Sequence, residues 1–474
     1  MKAKKINSTI SNWQMTKRKN RLANLLIQIA CCLLPIVSFA QYTQIASLTP
    51  FNGEIPKGSL ISDGTYLYGM ASFGGINEDG TIFKVKPDGT SFTKLHTFSN
   101  TNGQWPTGSL VSVDSFLYGM TPDGNNTSGN GIIFKVKPDG TGYVKLHDFI
   151  AEGPSGSLIY FGGFLYGMTH ENIFKIKPDG TGDTVIFRFP FSCINGCLPN
   201  GDLVYDGISL YGMTANGGAN NKGIIFKIKP DGTGDSTLFN FSDASGSIPL
   251  GSLIFDSIYF YGMTSAGGEN GYGTIFKIKR DGTAYSKLFD FDPSGGFGLN
   301  GNVPTGSLVS DGTFLYGMTE QGGVYGGGVI FKIKPDGTMF TKLFDFAGNS
   351  NGFRPYGSLL TDGNFLYGTT SFGGTYNYGA IFKYALTTGI TENNLAAGFS
   401  ISPNPFSTQT TITFNEEQKN TTIKIMDVLG KQIKSIDFKG RTFILEKEEM
   451  KPGIYFLQIS DEIKHMVYRK MILQ

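Results

Sequence analysis

Five acidic side chains, Glu78, Asp123, Glu171, Glu269 and Glu320, stand in loop-like, glycine-rich stretches of the chain. Two carboxylates brought together could cleave a glycosidic bond, one protonating the leaving oxygen and the other attacking the sugar or activating water. Nothing in their spacing pairs them, and each also reads as a solvated surface group. Four histidines leave few general bases near neutral pH. No Ser-His-Asp pattern, His-Glu-x-x-His motif or phosphate-binding glycine loop occurs. No catalytic residue and no cofactor is therefore assigned.

Cys193 and Cys197 share one short loop. In an exported protein this spacing predicts a local disulfide. A zinc site needs more ligands, the nearest histidine in sequence being His170, so no metal is assigned. Binding chemistry is better represented. Phe73, Trp105, Tyr272, Phe297, Tyr325, Phe353, Phe372 and Tyr376, with Arg354, are loop residues suited to stacking on sugar rings or gripping a peptide. The competing reading is that these rings pack within their own loops.

The elements that position these loops repeat. Leu-Tyr-Gly-Met-Thr or a close variant occurs seven times, with tyrosines at 68, 118, 166, 211, 261, 316 and 367. A period near 50 residues marks a repeat architecture. Each unit runs Gly-Ser-Leu, an Asp-Gly turn, Leu-Tyr-Gly-Met, a Gly-Gly loop, Ile-Phe-Lys, Pro-Asp-Gly-Thr and a final Leu-x-x-Phe. That order predicts four short antiparallel strands, the composition of a propeller blade, and seven copies predict seven blades. With 66 glycines, 39 phenylalanines, 22 tyrosines and only 16% charged residues, the composition suits short strands and tight turns. The seventh unit lacks its last strand, and Tyr42-Thr43-Gln44-Ile45 aligns with Phe92-Thr93-Lys94-Leu95. The first strand is thus expected to complete the last blade and leave no free edge. Recurring lysines such as Lys84 and Lys135 read as stems over apolar surface with heads in solvent.

In such a ring the tight Asp-Gly and Pro-Asp-Gly turns share one face. The second-to-third-strand loops and blade-to-blade loops share the other, and they carry the variation in length and side chain. Loops on a rigid scaffold carry specificity, which makes this the expected binding face. The third unit is exceptional: its loop shrinks to His170-Glu171-Asn172, with the cysteine loop following.

Residues 1–40 read as a signal peptide, with basic residues before the apolar run from Leu22 to Phe39 and cleavage expected between Ala40 and Gln41. No stable membrane span is expected after its removal. The formal net charge is +2, but residues 1–40 hold seven Lys/Arg and no Asp/Glu, leaving −5 in the remainder. Nucleic acid is therefore not an expected partner.

After a linker at 387–398 the composition changes, and alternating runs near Thr411 and Thr422 predict a small Ig-like β-sandwich over 399–474. Its elements are Ser402-Pro403-Asn404-Pro405-Phe406, Ile425-Met426-Asp427-Val428-Leu429-Gly430, Lys451-Pro452-Gly453-Ile454-Tyr455-Phe456 and Tyr468-Arg469-Lys470-Met471-Ile472. In that order they closely resemble the C-terminal sorting domain of the Bacteroidetes type IX secretion system. The resemblance implies Pro403, Asn404, Pro405, Gly430, Gly453, Tyr455 and Lys470 as sorting-motif residues. It also implies the secretion machinery as partner, and a secreted or outer-membrane surface location. Residues 42–384 resemble the GloVer tandem-repeat family, which implies a surface-delivered repeat protein with no defined activity. Thr369 replaces methionine in the seventh copy.

The whole reads as all-β: a signal peptide, a seven-bladed propeller over 41–386, a linker and a sorting domain. The expected role is that of a monomeric binding scaffold for a glycan or protein. The alternatives are a polysaccharide hydrolase using loop carboxylates and a structural surface component without a discrete ligand.

Overall fold

The structure is a computed structural model, and it describes residues 41–124, 130–150, 152–292, 298–348, 351–386, 399–404, 406–427, 432–448, 450–460 and 466–473. The signal segment with Ala40, Phe297, the linker 387–398, Pro405 and Gly430 lie outside the described residues. The chain divides into two compact units at Leu386/Thr387.

The first unit is a propeller of seven four-stranded sheets. Strand β1 (Tyr42–Ser47) comes first in the chain, and the first complete blade follows as β2 (Ile61–Ser62), β3 (Leu67–Ala71), β4 (Thr81–Val85) and β5 (Thr93–Thr97). The middle strands are buried on both faces because each sheet is pressed between two others. All five residues of β3 are buried, and in β4 only Lys84 is not. Hydrophobic burial therefore concentrates in the wedges between blades. Tyr68, Met70, Ile82 and Phe98 of the first blade meet Leu110, Leu117, Phe134 and Val136 of the second. The glycine of Leu-Tyr-Gly-Met makes room for the phenylalanine of the next strand: a Cβ on Gly69 would stand 2.6 Å from the tip of the Phe83 ring.

The ring closes as its ends predict. Strand β1 pairs antiparallel with Ala380–Ala385, with Tyr42 opposite Tyr384 and Thr43 opposite Lys383. The recurring lysines differ from the sequence reading. Lys84 Nζ donates to Pro138 O at 2.9 Å, in the next blade's Pro-Asp-Gly turn, and lies 4.7 Å from the Tyr66 ring centroid. Lys383 Nζ reaches Pro87 O at 3.2 Å, and Lys135, Lys175 and Lys277 make the same bond to Pro178, Pro230 and Pro335. Their heads stitch blade to blade because the turn carbonyl has no strand partner to satisfy it.

The second unit comprises Phe399–Ser402, Gln409–Asp427, Gln432–Glu446, Gly453–Ser460 and Met466–Leu473. The two long strands break register near Thr413, Gln418 and Thr421, so the sheet bends. Its halves fold over one core that includes Phe414, Ile423, Leu445, Leu457 and Met471. This is the sandwich of the sequence reading, with hydrogen bonding continuous through both halves. Pro403 accepts a hydrogen bond from Thr410 Oγ1 at 2.6 Å, and Tyr455 donates its hydroxyl to Lys451 O at 2.7 Å. Gly453 opens its strand, and Lys470 pairs with Phe456 on the last one.

Candidate functional site: the channel mouth and the variable face

The Gly-Ser-Leu segments converge on the propeller axis. A Cβ on Gly58 would stand 2.0 Å from Gly108 O, and Gly108 stands likewise to Gly156, and so on around to Gly357 and back to Gly58. Only glycine permits this approach. The next residues form a closed hydrogen-bonded ring. The N–H of Ser59 donates to Ser109 Oγ at 2.9 Å, Ser109 to Ser157 Oγ at 2.8 Å, and Ser157 to Asp202 Oδ1 at 2.6 Å. Asp202, Ser252 and Ser307 donate in turn to Ser252, Ser307 and Ser358 Oγ, each at 2.7 Å, and Ser358 returns to Ser59 Oγ at 2.8 Å.

Asp202 is the one acid in that ring. Burial raises its carboxyl above the usual range, and hydrogen bonds from Ser157 and Ser252 offset part of the rise. Above the ring lies a cavity of about 310 Å³. His170 lines it, as do Lys57, Thr107, Ser155, Asn200, Leu250, Thr305 and Tyr356, one from each of the seven blades. The seven positions lie two residues before the ring; three are a serine or threonine, and the other four are a lysine, an asparagine, a leucine and a tyrosine. Lys57 Nζ is 5.8 Å from the Tyr356 ring centroid.

Outside the cavity lining, an outer rim is formed by the residue preceding six of the seven prolines that enter the ring. Ile55, Trp105, Leu198, Ile248, Val303 and Arg354 all have φ between 52° and 57°. This left-handed region is unfavourable for any side chain and more so for a β-branched one. Two backbone bonds to neighbouring loops hold the conformation: Ile248 N donates to Lys222 O at 3.2 Å, and Ile248 O accepts from Ser265 N at 3.0 Å. With both backbone groups engaged, the side chain alone varies between blades.

Of the expected ligand-binding residues, Phe73 and Trp105 pack on one another with centroids 6.2 Å apart. The segment at Phe353 bridges that at Phe372, and the Arg354 guanidinium lies 5.8 Å from the Phe353 centroid and 3.9 Å from Glu320. Tyr272, Tyr325 and Tyr376 are exposed. The set is spread around the variable face and does not line one pocket. Cys193 and Cys197 are joined in a disulfide with Cα atoms 5.0 Å apart. Among the acids, burial and then the charge of Glu78 raise the Glu54 carboxyl above its usual range. In the third blade Thr169 Oγ1 donates to Glu152 at 2.8 Å, and Asn172 Nδ2 donates to the same carboxylate. Among the described residues no group of three or more His, Cys, Asp or Glu could hold a metal ion. No helix there is long and apolar enough to cross a membrane.

Sequence reasoning missed Asp202 and the lining position. The signal was present in Gly201-Asp202-Leu203, the copy that departs from Gly-Ser-Leu.

Residues 36–208, 171–309 and 209–426 match the model of the Gloeobacter/Verrucomicrobia repeat. The chain belongs to this repeat family. Residues 400–474 match the secretion system C-terminal sorting domain. This repeat-family propeller is therefore an extracellular protein, secreted or at the cell surface, exported by the type IX system that reads its tail. No curated protein matches the chain. Among solved structures it is similar to the extracellular domain of BT4673 from B. thetaiotaomicron, at 10% identity and TM-score 0.47, over 89% of this chain and 57% of that one. It is also similar to PorZ, a surface component of the type IX secretion system of Porphyromonas gingivalis, at 14% identity and TM-score 0.34, over 87% and 64%. The chain spans less than two thirds of either protein. Likenesses this distant carry no argument about its ligand.

Proposed function

We propose that the protein is a monomeric extracellular binding scaffold that holds a glycan or a protein segment on its variable face, over the mouth of the central channel. The observation that carries this reading is the rim of six left-handed residues, Ile55, Trp105, Leu198, Ile248, Val303 and Arg354. Glycine would occupy such positions without strain, yet in six of seven blades the chain keeps a side chain there. Strain of roughly 1–3 kcal/mol per residue, held at variable positions two residues along the chain from the cavity lining, is the pattern of a ligand-presenting site. The chemically unequal lining beneath the rim, from Lys57 to Tyr356, supports a single asymmetric ligand over a symmetric one.

An array of polysaccharides and peptides probed with the mature protein tests this. Retention of one ligand class, weakened by Trp105→Ala and Arg354→Ala, is the expected result. Retention of none would remove the binding reading and leave a structural surface component. Turnover of an arrayed polysaccharide, lost in Glu54→Gln or Glu78→Gln, would replace it with the hydrolase reading.

A further inference from the structure

Two of the seven blade junctions, those of Asp183 and Asp235, carry an acid where the others place an aromatic ring. At four junctions an aromatic residue at the start of the fourth strand, or one residue before it, slots between two rings. Tyr42 stacks between Phe344 and Phe382 at 4.2 and 5.4 Å, and Tyr143 between His96 and Phe134 at 3.8 and 5.6 Å. Tyr285 lies between Phe239 and Phe276 at 4.0 and 5.6 Å, and Phe340 between Phe289 and Phe331 at 3.8 and 5.4 Å. The three tyrosines also share a polar end. Their hydroxyls donate to the backbone oxygens of Asn351, Asn102 and Ser245 at 2.6, 2.5 and 2.6 Å. Each of those residues immediately precedes a glycine in the blade-to-blade loop: Gly352, Gly103 and Gly246.

Between the third and fourth blades the ring-bearing position is Asp235, which is exposed. The two walls remain: Phe187, paired with Ile173 as Phe239 is with Ile225, and Phe226, paired with Thr237 as Phe276 is with Lys287. The polar end remains too, because Asn195 precedes Gly196 in the disulfide loop. Phe187, Phe226, Asn195 and Asp235 line a cavity of about 220 Å³. An apolar cavity of roughly 150 Å³ is enough to admit benzene. The second-to-third junction also carries an acid at this position, Asp183, but there His147 Nε2 lies 3.8 Å from its carboxylate.

We infer that this slot is a binding site for a phenol ring supplied from outside the chain, stacked between Phe187 and Phe226 with its hydroxyl donating to the Asn195 backbone oxygen. Asp235, an exposed residue of the lining, supplies no ring of its own to fill the slot. The ligand chemistry is a 4-substituted phenol, presented either by a tyrosine in a polypeptide or by a small molecule. The inference is independent of the channel mouth, since the slot lies between two blades and shares none of the rim residues.

The test uses the full mature chain, with p-cresol as probe and isothermal titration as readout. We expect p-cresol to bind. We expect 4-methylanisole, which has lost the donating proton, to bind at least fivefold more weakly, because it cannot make the hydrogen bond to the Asn195 oxygen. Asp235→Tyr supplies the chain's own ring, as Tyr285 does one junction on. It should fold with an unchanged or higher Tm and bind p-cresol at least tenfold more weakly. Phe187→Ala, which removes one wall, should weaken binding likewise and covers the case in which Asp235→Tyr fails to fold. An acetylated, amidated Gly-Tyr-Gly peptide binding as tightly as p-cresol assigns a polypeptide source, and binding of p-cresol alone assigns a small phenol. No binding of p-cresol, or equal binding by wild type and both variants, overturns the inference.

Discussion

The backbone N–H of Ser358 donates to Ser59 Oγ at 2.8 Å across 299 residues of sequence, and this bond closes the innermost ring of the propeller. Strand β1 closes the outermost edge by pairing with Ala380–Ala385. The propeller is therefore locked twice, at its axis and at its rim, and a rigid ring is what unequal loops need beneath them.

Ser59→Ala should cost about 1–3 kcal/mol, because the Ser358 N–H is left without its acceptor in a crowded channel. Ser252→Ala should cost a similar amount, since it removes the same bond from Asp202. Urea unfolding of the two variants checks this, and a near-zero effect in both would mean that water replaces the ring bonds freely.

Asp202→Ser installs the residue found at the other six ring positions. Burial raises the Asp202 carboxyl in the folded state, so the native protein holds this proton more tightly than the unfolded chain does. Its contribution to stability is then fully present below the ordinary value of 3.8 and is lost as pH rises through the folded value. The serine variant should gain stability over wild type at neutral pH, and the difference should shrink toward pH 4. Melting curves across that range measure it.

His96 gives the opposite slope. Burial, partly offset by Asn102, pushes its imidazole from 6.5 down to about 4, where it stacks 3.8 Å from the Tyr143 centroid. Between those values the unfolded chain takes up a proton that the folded one refuses, so stability falls as pH drops through that window. His96→Phe, which copies Phe239 and Phe289 at the equivalent position, should flatten the Tm profile between pH 6.5 and about 4. An unchanged profile would place the sensitivity elsewhere.

Ile248→Gly should relieve the left-handed strain at φ 54°. A glycine gains conformational freedom in the unfolded chain, which opposes the relief, so the net change in stability should stay within about 1 kcal/mol. Loss of ligand affinity without loss of stability is the expected signature, measured by binding and denaturation on one preparation. A loss of several kcal/mol would instead make Ile248 a packing residue.

Much of the fold was legible because it repeats. Seven tyrosines at a period near 50, and a missing last strand matched by Tyr42–Ile45, imply seven blades and their clasp without any long-range information. The lysine heads were misread because their acceptor, the Pro138 carbonyl for Lys84, lies 54 residues away in a turn that looks solvated in sequence. The site was less legible for a related reason. Residues that recur hid the two informative departures, Asp202 for serine and Asp235 for an aromatic ring, since a departure has meaning only once its neighbours around the ring are known. Loop aromatics were easy to find by type, but only the structure shows that Phe73 and Trp105 pack on one another, with Trp105 still partly exposed, while Tyr325 and Tyr376 stand more open.

The central claim is that ligand sits on the variable face over the channel mouth. Its most direct test is the equilibrium affinity of the best arrayed glycan or peptide for three forms of the mature protein: wild type, Trp105→Ala/Arg354→Ala, and Asp139→Ala/Asp231→Ala in the turns of the opposite face. The account predicts at least a tenfold loss for the first double variant, equivalent to about 1.4 kcal/mol, and no change for the second. Equal affinity in all three, or loss confined to the opposite-face variant, would contradict it.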